Sequence, residues 1–107
     1  MAFDLGAVLK DMLSAAGDVL KDEIPKVKEC VKAAIEAEKE ALEDIAKARL
    51  ANEITAEEMQ SQLADEEDAL KAALLACEVK SKIAAQQAAN AAANVFAEAV
   101  KAALKAV

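Results

Sequence analysis

Two cysteines and a set of carboxylates are the residues whose types could do chemistry in this chain. The two thiols, Cys30 and Cys77, lie 47 positions apart. A pair of cysteines can form a disulfide, act as a redox couple, or sit buried and reduced as small apolar side chains. The carboxylates cluster as Glu36, Glu38, Glu40 and Glu43, and again as Asp65, Glu66, Glu67 and Asp68. Such runs are solvated surfaces first and divalent-cation sites second, and no glycine-containing calcium loop accompanies them.

Histidine is absent. That removes the commonest general base, the Ser-His and Cys-His dyads, and the usual zinc and di-iron ligand sets. Di-iron bundles use a Glu-x-x-His motif, for which this chain has the glutamates but no imidazole. No glycine-rich loop is present to cradle a phosphate. The expectation is therefore a protein that is not an enzyme, with no cofactor and no metal.

These residues must be positioned by helices. The 107 residues are 56% hydrophobic, with Gly 2, Pro 1 and aromatic content of 2%. Much of the apolar content is alanine, which enters helices at the lowest entropic cost. Few turns are affordable with so little Gly and Pro. The length points to one domain covering 1–107.

The clearest boundary is Ala-Asn-Glu-Ile-Thr at 51–55. Thr55 with Glu58 fits a capping box, Ile54 with Met59 a hydrophobic staple, and Asn52 a left-handed helix end. After Thr55 no Gly or Pro occurs. The reading is one helix over about 3–22, a second over about 25–51, a turn at 52–55, and a long helix over about 56–106. A helix of that length measures about 75 Å at 1.5 Å per residue. Gly17 and Pro25 mark a kink between the first two helices.

The fold class is all-α: a long antiparallel helical hairpin, kinked near Pro25, assembled into a bundle or oligomer. Apolar stripes on its two arms pair layer by layer when the chain is folded at the turn. Ile45 meets Leu63, Leu42 meets Glu66, Glu38 meets Leu70, and Val31 meets Cys77, at the spacing of knobs into holes. Cys30 and Cys77 fall in one layer, as a disulfide or a buried thiol pair. A reducing compartment makes the reduced pair the preferred reading. The same register continues past Pro25, placing Leu20 against Ala88 and Leu13 against Val95. The alternative is a first helix that folds back onto the part near the turn.

An alanine-lined hairpin has a thin core. Each ordered residue costs about 1–2 kcal/mol, and alanine burial returns little of it. Self-association or another helical partner is expected, through the uncharged stretch 83–97 and the helix facing it. Gln87, Asn90, Asn94, Val95, Leu13 and Leu20 are the candidate contact residues. A small virion protein, scaffold or adaptor would fit this shape equally.

Lys+Arg 13 against Asp+Glu 20 gives a net charge of −7. That disfavours nucleic acid, whose affinity is dominated by phosphate neutralisation. A lipid or granule coat is the alternative role, since the first helix is amphipathic. It is weakened by the lack of a cationic face. No signal peptide or membrane span is evident, so a cytoplasmic location is the default.

Overall fold

The computed structural model describes residues 3–106 and is all helical. Helix α1 spans Leu5–Leu20, α2 Ile24–Ala37, α3 Lys39–Leu50, α4 Ala56–Ala76 and α5 Lys82–Ala106, with a 3₁₀ turn at Lys21–Glu23. No strand occurs among the described residues.

Each helix end has a chemical cause. The Asp4 carboxylate caps α1, accepting from the Ala7 N–H at 3.2 Å. Pro25 sits in the first turn of α2, where no backbone donor is required. At 51–55, Asn52 takes φ 64°; its N–H donates to Arg49 O, and the Glu53 N–H donates to Ala48 O. This bond pair is a Schellman stop. Thr55 then starts α4 with a complete capping box. Its hydroxyl accepts from the Glu58 N–H at 3.0 Å, and the Glu58 carboxylate accepts from the Thr55 N–H at 2.8 Å. Arg49 stays with the turn rather than the interhelical seam, donating to Asn52 Oδ1 and to Ile54 O.

The chain does not extend as the long hairpin expected from its sequence. The molecule measures 40 × 24 × 18 Å, well short of a rod about 75 Å long. Both arms bend at the same height. One arm turns back at the Lys21–Glu23 turn, the other at 77–81, where a single helix over 56–106 was expected. The Lys80 N–H donates to the Glu23 carboxylate at 2.9 Å, so the two bends touch. Near the start of α1, Phe3 meets Phe96 of α5 edge to face, with ring centroids 6.0 Å apart. Helix α1 therefore runs antiparallel to α5, α5 to α4, α4 to the α2–α3 arm, and that arm to α1. The result is a compact all-helical globule of packed helices.

The break at 77–81 is a second Schellman stop. The Glu78 N–H donates to Leu75 O and the Val79 N–H to Leu74 O, while Glu78 takes φ 69°. Val79 and Leu74, the apolar pair that accompanies this motif, are both buried. Ser81 then caps α5, its hydroxyl accepting from the Ala84 N–H at 3.1 Å. The α2–α3 arm is also interrupted, at Glu38, whose N–H reaches back three residues to Ile35 O in a tightened turn.

Helices α1 and α5 pack through small residues. Ala16 of α1 and Ala85, Ala88, Ala89 and Ala92 of α5 are fully buried. Methyl-sized side chains let two axes approach at the short end of the 8–10 Å range. Phe96, Ile35, Leu42, Leu74, Val31 and Val100 fill the wider parts of the core.

Candidate functional site

Cys30 and Cys77 are joined in a disulfide, with Cα atoms 5.7 Å apart. The bonded state replaces the reduced pair that a reducing compartment favours. Cys77 is the residue on which α4 ends, and it is buried; Cys30 lies on the exposed side of α2. The bond thus ties α2 to the foot of α4, directly beside the crease.

A half-buried group of carboxylates lies further along the seam between α2 and α4. Glu38, at the α2–α3 interruption, shares a small cavity with Glu66 of α4. The sequence register paired Glu38 with Leu70 and Leu42 with Glu66. The structure gathers all four of these residues around one small cavity, together with Met12, Leu63 and Ala93. Burial, the hydrogen bond to Glu66 and the charge of that carboxylate raise the Glu38 pKa from 4.5 to about 7. The adjacent Glu67 carboxylate accepts from Gln86 Nε2 at 3.2 Å, and the Asn90 amide nitrogen faces it as well. These bonds join α4 to α5.

The expected contact residues divide into two groups. Leu20 is buried in the core of its own chain, and Val95 is half-buried. Leu13 lines a groove between α1 and α2. Gln87, Asn90 and Asn94 lie exposed on the outward side of α5, in line with Ile83. Ile83 is 71% exposed. The inward alanine face, expected to meet another molecule, is covered by α1.

Sequence reasoning missed Ser81 and Glu78. Ser81 is a preferred cap residue and was a readable signal. Glu78 gave none, because left-handed helix ends favour Gly or Asn.

No family model, curated protein or solved structure matches this chain. Among the described residues no helix is long and apolar enough to cross a membrane. No grouping of three or more potential ligands there could hold a metal ion.

Proposed function

We propose that this chain is a non-enzymatic interaction protein, a disulfide-clamped helical bundle that self-associates through the outward face of α5. The observation that carries this reading is the row Ile83, Gln87, Asn90 and Asn94. These residues are exposed and uncharged in a chain that is 31% charged. They are spaced four, three and four residues apart, the spacing of a coiled-coil seam. Amides at such a seam set register and partner number at some cost in affinity. A protein with an uncharged row of this kind on an otherwise charged surface is suited to meeting a copy of itself or another helix.

The Cys30–Cys77 bond weighs toward an oxidising compartment and against the cytoplasmic location that the sequence suggests, since glutathione keeps most cytosolic thiols reduced.

Absolute mass by light scattering across a concentration series tests the assembly. A dimer or larger species that survives dilution and is lost in the Ile83→Glu, Asn94→Glu double variant supports the reading. A wild-type monomer at every concentration overturns it. Reductant should leave the mass unchanged, because the disulfide lies within one chain.

A further inference from the structure

A groove runs along the outside of the bundle between α1 and α2, in two connected parts of about 360 and 410 Å³. Its floor is apolar, made by Leu9 and Leu13 of α1 with Ile24 and Ile35 of α2. Both glycines of the chain line it, Gly6 at one end and Gly17 at the other. Neither has positive φ. A Cβ on either would meet nothing closer than 3.4 Å. Alanine would therefore fit both positions and favour the helix by about 1 kcal/mol each. In a chain this rich in alanine, two bare positions on one groove wall, eleven residues and about three turns apart, leave room for something to approach closely.

The rim is basic. Lys10, Lys28, Lys32 and Lys39 line the groove against Asp18 and Glu36, although the chain as a whole carries −7. Lys28, Lys32 and Lys39 stand on one side, spanning eleven residues. The exposed ridge of α4 carries the complementary pattern. Glu57, Asp65 and Asp68 also span eleven residues, and the exposed Ser61 and Ala64 between them are small. Laid antiparallel, Asp68 falls opposite Lys28, Asp65 opposite Lys32 and Glu57 opposite Lys39. At 1.5 Å per residue the ends match apart from the small change in rise at the Glu38 turn, and the middle pair is offset by about 1.5 Å.

We propose that this groove seats the acidic ridge of α4 from a second copy of the chain. Within the bundle α4 already runs antiparallel to α2. A copy brought alongside by translation therefore presents its α4 in the required direction. The contact joins two different surfaces, so it is heterologous. Because each copy keeps a free groove or a free ridge, the product is an open head-to-tail chain rather than a closed dimer. Its ion pairs make it salt-sensitive. The assembly is separate from the α5 contact, which is uncharged.

Charge-swap complementation tests it, read by light scattering and sedimentation velocity at low and high salt. The Lys32→Glu, Lys39→Glu variant has an acidic groove and an acidic ridge. The Asp65→Lys, Asp68→Lys variant has a basic groove and a basic ridge. All four positions are exposed, and circular dichroism confirms that each variant is folded. At low salt wild type should grow with concentration beyond the mass set by the α5 contact, and at high salt it should fall back to that salt-insensitive mass. Each variant alone should need at least tenfold more protein for the same growth. An equimolar mixture of the two should recover it, since every acidic groove then has a basic ridge to receive. Growth that is indifferent to salt and to both variants overturns the proposal, as does a mixture that fails to recover. No growth by wild type at low salt also overturns it. The α5 reading fails separately, through the Ile83→Glu, Asn94→Glu variant.

Discussion

Glu23 and Lys80, 57 residues apart in sequence, are joined by a hydrogen bond of 2.9 Å from the Lys80 N–H to the Glu23 carboxylate. The bond lies where both arms of the hairpin turn back. A crease that bends only one arm would strip α1 from α5. Bending both at one height keeps each helix against its antiparallel neighbour and adds two new packed sides. The helices thereby enclose one shared core rather than a single thin alanine seam. Burial of Phe96, Leu74 and Val100 then supplies what alanine alone does not, at about 1.5–3 kcal/mol per large side chain.

The crease is built from residues poorly suited to its backbone. Lys21 takes φ 42° and Glu78 φ 69°. A side chain in this left-handed region costs about 1 kcal/mol or more, which glycine avoids. Lys21→Gly and Glu78→Gly should each raise stability by about 0.5–1 kcal/mol, measured by chemical denaturation. A loss of stability in either would show that the side chain contributes more than its backbone strain costs.

Ser81 should act in the opposite direction. Its hydroxyl satisfies one of the orphan donors at the start of α5. Ser81→Ala should cost about 1 kcal/mol, and Ser81→Asp should retain most of the stability. Equal losses in both would mean that capping is not what the hydroxyl provides there.

The disulfide closes a loop with a sequence separation of 47. On the chain-entropy argument a loop of this size contributes about 4 kcal/mol by restricting the unfolded chain. Reduction, or the Cys30→Ser, Cys77→Ser double variant, should lower the unfolding free energy by about that amount. The helical circular dichroism of the folded state should persist. A midpoint indifferent to reductant would show that the bridge is not formed in solution.

The turn at 51–55 was legible because four local signals agree, and each acts within a few residues. Asn52, Thr55, Glu58 and the Ile54–Met59 pair need no tertiary information. The all-helical class was legible for the same reason, from composition and period. The crease was not. Its stop at Glu78 uses a residue that resists the left-handed conformation, stabilised by the buried Leu74–Val79 pair and the disulfide at Cys77. The Leu74–Val79 contact is local, but the disulfide to Cys30 exists only once the helices have packed. The groove was hidden for a related cause. Gly17 reads as a kink in a linear hairpin, but in the structure it is the bare wall of a gap between α1 and α2. The exposed amides of α5 could be read as a row, whereas the burial of their neighbouring alanines against α1 could not be separated from contact with a partner.

Glu38 gives the bundle a pH dependence whose sign can be worked out. Its pKa is about 7 when folded and ordinarily 4.5, so the folded state holds this proton more tightly. Below about pH 4.5 both states are protonated and the contribution is fully present. As pH rises from there through about 7 the unfolded chain ionises first, and stability falls. Above about 7 Glu38 is ionised in the folded protein as well, and the loss is complete. Glu38→Gln keeps an amide donor toward Glu66 and removes the titration. Its stability relative to wild type should therefore increase across this window and level off above it. Glu66→Gln should bring the Glu38 midpoint down, because it removes the facing charge while leaving the burial. Carbon-detected NMR titration of the glutamate carboxyls reads the midpoint directly. A Glu38 midpoint near 4.5 in wild type would mean that water reaches this layer and that burial does not hold the proton on Glu38.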